Sequence, residues 1–140
     1  MENKYFTPSI EDIKVGYECE KEDLLKGWKT FIFDAKAIRD YMNCSMVDYQ
    51  DDFFRVPYLT KEQLEAEGWD LLSEYQFSDK YVVKFQKIPE IGNPVILHFI
   101  DNNWIIVKKE SLRKHELPCE YSGQCNNINT FKTIIKLLNI

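Results

Sequence analysis

The chain has 140 residues, of which 44% are apolar and 14% aromatic, and a formal net charge of -5. That is enough apolar material to bury a core in one domain without disulfide or metal staples, and too much for a disordered chain. The acidic balance, with no close cluster of more than three basic residues, argues against general nucleic-acid binding, because a phosphate backbone draws on grouped Lys and Arg.

In chain order, residues 1–9 read as extended and loosely held, with Pro8 blocking an early helix. Residues 14–20 read as a strand in which Val15, Tyr17 and Cys19 alternate with Gly16 and Glu18, Gly16 marking a bulge. Residues 20–26 read as a loop or one helical turn. Gly27 and Trp28 then open a strand reaching Phe33, with Phe31 and Phe33 on one face, and this strand is expected to pair with the one before it. Asp34 is a candidate N-cap for a helix over residues 35–43, whose short apolar stripe is Ile38, Tyr41 and Met42. Residues 44–52 show no period. Phe53 to Val56 reads as extended and runs into Pro57, a residue that marks an edge or a strand end.

The best-signalled local element follows. Thr60 with Gln63 three residues on is a capping box, Leu59 and Leu64 are placed as a hydrophobic staple, and Gly68 supplies a left-handed terminator. Trp69 anchors the exit. From residue 70 to 109 the pattern is a meander: strands over 71–77, 81–87, 95–100 and 104–108, with turns at 78–80, 89–94 and 101–103. Tyr81, Val83 and Phe85 share one face, and Lys84 and Gln86 the other. Val95, Leu97 and Phe99 share a face, while Ile96 and Ile100 lie opposite with His98 between them; Ile105 and Val107 oppose Trp104 and Ile106. Strands apolar on both sides are covered on both sides, or sit where a sheet curls over itself. Asp101-Asn102-Asn103 tolerates the positive φ a tight hairpin needs. After a charged connection at 111–118, Cys119 to Tyr121 reads as a short strand ending at Ser122-Gly123. Asn126, Asn127 and Asn129 offer N-caps to a final helix with the stripe Ile128, Phe131, Ile134, Ile135 and Leu138.

These elements predict an α+β fold over a single domain, residues 1–140. Its frame is a curved, mainly antiparallel sheet of six to eight strands with the C-terminal helix packed on it and one or two short helices beside it. A strand roll closed by a C-terminal helix also suits a pleckstrin-homology-like barrel. No window approaches the roughly 20 apolar residues of a membrane span, and no secretory signal opens the chain, so a cytoplasmic setting is expected. The cysteines Cys19, Cys44, Cys119 and Cys125 read as free thiols.

Motifs for chemistry are sparse. The five glycines form no phosphate-cradling loop, and there is no nucleophile elbow. The cysteines lack zinc-ligand spacing, and the acidic group Asp48, Asp51 and Asp52 lacks the glycine and terminal glutamate of a calcium loop. No cofactor or metal is expected. His98 and His115 are the only histidines. His98 alternates between isoleucines as a packing residue, and no oriented nucleophile accompanies it. Two candidate recognition sites stand out. Phe53 and Phe54 point to opposite faces of one strand, which can leave one ring outward for a partner. Arg113, Lys114 and His115 are the cations available to a small anionic ligand.

Three segments together are similar to a known group: residues 5–20, residues 55–69 from Arg55-Val56-Pro57 through the capped helix, and the tail from Tyr121-Ser122-Gly123 to Leu138. They resemble small proteins of Bacteroidetes genomes and their bacteriophages, a group with no established activity. The resemblance covers most of the chain and implies a phage or prophage gene expressed in a bacterial cytoplasm. The expectation is a non-enzymatic protein that binds a host or phage protein, or itself. The alternative is a protein that binds or sequesters a small ligand such as a nucleotide.

Overall fold

The structure is a computed structural model that describes residues 4–23, 25–42, 54–109 and 119–140. The chain is α+β and divides into two compact units, Met1–Tyr58 and Leu59–Ile140. The strands fall into two antiparallel sheets of four and five strands rather than one larger sheet, and among the described residues neither closes into a barrel.

In the first unit β1 (Tyr5–Phe6), β2 (Glu18–Asp23), β3 (Gly27–Ile32) and β4 (Phe54–Pro57) take the order β1-β4-β2-β3. Three local expectations change. Gly16 does not bulge a strand: it sits in a turn at φ +91°, and β2 begins two residues later. Residues 20–23 are neither loop nor helix but continue β2, which pairs with β3 from Glu18 against Ile32 to Asp23 against Gly27. Gly27, at φ +77°, supplies the left-handed residue of that hairpin. Tyr5 and Phe6, read as loose, pair with Pro57 and Val56. Helix α1 (Ala35–Met42) begins where Asp34 Oδ1 accepts the Ala37 N–H at 2.7 Å, the expected cap. The core gathers alternate residues from these strands, Tyr17, Cys19, Phe33, Phe54 and Val56, with Tyr41 from α1.

In the second unit α2 (Lys61–Ala66) carries the expected capping box. Gln63 N–H donates to Thr60 Oγ1 at 3.2 Å, and the Gln63 side-chain Oε1 accepts the Thr60 N–H at 3.1 Å. Gly68 then takes φ +92°. The five strands β5 (Asp70–Phe77), β6 (Lys80–Lys87), β7 (Val95–Ile100), β8 (Trp104–Lys109) and β9 (Cys119–Gln124) pair in sequence order as a meander. Asp101 and Asn102 adopt φ +49° and +59° in the β7–β8 hairpin, the conformation their side chains tolerate. Helix α3 (Ile128–Leu137) starts at Asn127, whose side chain accepts the Thr130 N–H. Ile128, Phe131 and Ile134 are buried with Val83, Phe85, Leu97, Phe99, Ile105 and Val107, so α3 covers the face of the sheet that the alternation marked as inner. On the second face Ile96 is buried too, which fits a strand that is apolar on both sides, and Val82 of β6 is buried on the side where the alternation put Lys84 and Gln86.

Candidate functional site

The edges of the two sheets differ in what they expose. An edge strand presents unpaired backbone groups, and proteins blunt such edges with short length, Lys, Pro, inward charge or bulges. In the first sheet β1 has two residues and β3 carries Lys29 beside Gly27. In the second sheet β9 carries Glu120 and a bulge opposite Val107/Lys108. Strand β5 is guarded least, with one bulge near its start and a regular stretch from Ser73 to Phe77. It is eight residues long, every one of them exposed, and it holds neither Lys nor Pro. Leu71, Leu72, Tyr75 and Phe77 leave between 42% and 72% of their surfaces to solvent.

The local sequence explains this. Tyr75 and Phe77 fall on one side of the strand, and at Leu71 and Leu72, where a bulge breaks the register before Ser73, both side chains are exposed. One side chain of β5 is fixed. Glu74 Oε1 accepts from Lys61 Nζ at 2.8 Å, and Glu74 Oε2 accepts from the Tyr81 hydroxyl. The hydrogen bond from Lys61, then that from Tyr81, lowers the Glu74 carboxyl from its ordinary value. The same contacts raise Lys61 and Tyr81. Helix α2 is thereby clipped to the strand through a side chain, while β5 remains the edge strand of its sheet.

The residues expected to carry chemistry do not assemble. His98 is half-buried on the second face of the sheet, directly opposite Lys84 and Ile106 on the flanking strands. Burial first, then the charges of Lys108 and Lys84, lower its pKa. Among the described residues no side chain hydrogen-bonds to it. Cys19 and Cys125 lie in the two separate cores, and burial above all pushes both thiols up to about 12. A thiol held there is protonated at neutral pH and is no nucleophile. Cys119 is exposed on β9. Among the described residues no group of three or more His, Cys, Asp or Glu could hold a metal ion.

Phe54 points into the first core, where its ring centroid lies 5.1 Å from Phe33 and 5.3 Å from Tyr41. Phe53, Arg113, Lys114 and His115 lie outside the described residues. Two features escaped sequence reasoning. A cavity of about 600 Å³ opens in the first unit beside α1, lined by Phe31, Phe33 and Phe54 with Lys21, Lys36 and Asp40 at its polar side. On the opposite face of the same sheet the Arg55 guanidinium stacks 3.6 Å from the Tyr5 ring centroid and 4.1 Å from that of Trp28, with Nε 2.7 Å from Glu20 Oε1. That cluster takes one side chain from each of the four strands. No residue spacing announces either feature, because each depends on which strands become neighbours. The β5 edge did leave a signal: Leu71, Leu72, Tyr75 and Phe77 put apolar side chains at both parities of one short run.

No protein-family model matches the chain, and neither the curated proteins nor the solved structures contain a match to it. The functional reading therefore rests on this geometry.

Proposed function

We propose that the chain is a non-enzymatic interaction protein that acts by contact with another protein, and that the outer edge of β5 is its contact surface. The carrying observation is the eight-residue exposed edge with four large apolar side chains and no protective Lys or Pro. Such an edge offers backbone groups for strand addition and side chains for grip on both sides. The resemblance to small phage and Bacteroidetes proteins supplies the setting, a phage or prophage product working in a bacterial cytoplasm on a host or phage protein or on itself. Among the described residues no helix is long and apolar enough to cross a membrane.

The test is recovery of the tagged chain from producing cells, with native mass measurement of whatever elutes with it. A stoichiometric partner that is lost on Leu72→Asp with Phe77→Asp, while circular dichroism is unchanged, supports the reading. Retention of that partner by the double variant removes β5 from it.

The cavity beside α1 favours a second reading, a site for a small ligand. Its volume falls in the usual range for such sites, and it joins an aromatic wall to a few polar groups. Lys21 and Lys36 are its cations. A nucleotide is one candidate, with its base against Phe31 and its phosphate near Lys21. Native mass spectrometry before and after denaturation tests this: a released small molecule that Lys21→Ala abolishes supports it, and an empty protein counts against it.

A further inference from the structure

We propose that β5 pairs with β5 of a second copy of the chain, antiparallel, about a two-fold axis through Tyr75. This rests on the reading of the β5 edge as a contact surface and names its partner.

The register follows from the hairpin. Phe77 pairs with Lys80 across the two-residue turn Ser78-Asp79, with Ser78 at φ +60°. A two-residue turn makes its flanking residues a hydrogen-bonded pair, and bonding alternates from there. Phe77, Tyr75 and Ser73 therefore direct their backbone groups toward β6, and Gln76 and Glu74 direct theirs to the free edge. In an antiparallel pair, residues directly opposite must both face their partner or both face away. A two-fold axis must then pass through a residue position and not between two.

Four positions are open to it. An axis at Glu74 sets Glu74 against its own copy, which like charge disfavours. An axis at Ser73 draws in the bulge at Leu72, and one at Gln76 draws in the turn at Ser78. An axis at Tyr75 uses only the regular stretch 73–77. It sets Glu74 opposite Gln76, where both present free backbone groups, and Tyr75 opposite Tyr75 as a pair bonded inward on both copies. Ser73 then meets Phe77. The two carboxylates are kept apart, and each remains with its own Lys61 and Tyr81. Aromatic side chains line one side of the seam.

The seam is small. Five residues span about 17 Å at strand rise, well short of the roughly 800 Å² per partner of a standard interface. The dimer is accordingly weak, forming at about 100 µM and dissociating near 1 µM. Two chains of net charge -5 repel, so added salt strengthens this association, where it would weaken contact with a basic partner.

The test uses the full chain in a background with Cys44→Ser and Cys119→Ser. Tyr75→Cys brings two thiols together at the axis, where Cβ atoms of an inward-bonded pair lie about 4.5–5.5 Å apart. Leu72→Cys leaves them about 20 Å apart along the seam. Mild oxidation is expected to give covalent dimer from Tyr75→Cys and none from Leu72→Cys. Light scattering is expected to show a dimer at about 100 µM that Tyr75→Lys abolishes with at least a tenfold weakening. A monomer up to about 500 µM without cross-linking, or a dimer that Tyr75→Lys leaves intact, overturns the self-pairing. Should the wild type be monomeric yet hold another protein that Tyr75→Lys releases, the self-pairing falls and the contact reading stands. A monomer with no partner on β5 defeats both.

Discussion

Replacing Phe131 by Ala measures how firmly α3 seals the five-stranded sheet. The ring is 1% exposed and lies edge-on to Trp69, with centroids 6.0 Å apart and planes at 68°. A buried aromatic withdraws at least about 150 Å² from water, which at about 25 cal/mol per Å² is about 4 kcal/mol. Buried Phe→Ala substitutions, cavity included, cost about 3–5 kcal/mol, which agrees. For a chain of this size the midpoint of thermal unfolding should fall by roughly 10–20 °C. Urea denaturation followed by circular dichroism gives the number directly, with Lys136→Ala on the same helix as a control expected within about 0.5 kcal/mol of wild type. Phe131→Leu keeps most of the volume and should cost less than about 1.5 kcal/mol. A loss under about 1 kcal/mol for Phe131→Ala, with an unchanged denaturant slope, would mean that α3 does not dock through this face.

Thr60→Ala removes the acceptor for the Gln63 N–H and should cost about 1 kcal/mol, largely recovered in Thr60→Ser, by the same denaturation assay. Arg55→Ala should cost about 1–2 kcal/mol through loss of two ring contacts and the Glu20 pair, and Arg55→Lys should recover little, because an ammonium does not stack as a planar guanidinium does. Burial, then the charges of Lys108 and Lys84, disfavour the charged form of His98, so its folded pKa lies below the unfolded value of 6.5. The unfolded chain then binds more protons, and this contribution is present above pH 6.5 and lost as pH falls through the folded pKa. His98→Gln should flatten that part of the stability profile, and an NMR titration of the imidazole should give a midpoint below 6.5. In a Cys44→Ser variant, a neutral disulfide reagent at pH 8 should label one thiol quickly, Cys119, with Cys19 and Cys125 reacting only on unfolding.

The second unit was legible because its signals are local. Side-chain alternation marks the inner face through Val83, Phe85, Leu97 and Phe99, and the turn at Asp101-Asn102 needs only residues that tolerate positive φ. The capping box at Thr60 is likewise complete within four residues. The first unit was harder. Gly16 occurs in an alternating run, and alternation does not say whether a glycine bends a strand or precedes it. Glu22 and Asp23 have low strand preference, yet register with β3 carries β2 through them. Nothing in the composition of Tyr5-Phe6 signals pairing with residues some fifty positions on. The site shares that difficulty. Exposure of β5 is a property of the strand order, since the same residues inserted between two strands would have been core. Phe53 and Phe54 drew attention as adjacent aromatics, but ring count alone does not separate a recognition patch from the packing that Phe54 provides.

What gives the β5 edge its meaning is the contrast with β9 at the far side of the same sheet. Two unguarded edges on one sheet would let each molecule accept a neighbour on both sides, and head-to-tail pairing of β5 with β9 generates an open stack rather than a closed particle. Here β9 is interrupted opposite Val107/Lys108 and carries Glu120, and the regular part of β5 stops at the Leu72 bulge and the Ser78-Asp79 turn. Pairing through the regular stretch 73–77 of β5 uses up the least guarded edge of the sheet, so association ends at two. The more guarded strand thus makes the less guarded one tolerable in solution. Deleting the β9 bulge residue should test this coupling: if β9 restrains assembly, the variant extends beyond dimers in light scattering at about 100 µM, and Tyr75→Lys in the same chain brings it back. Assemblies that grow regardless of Tyr75 would show that β5 takes no part.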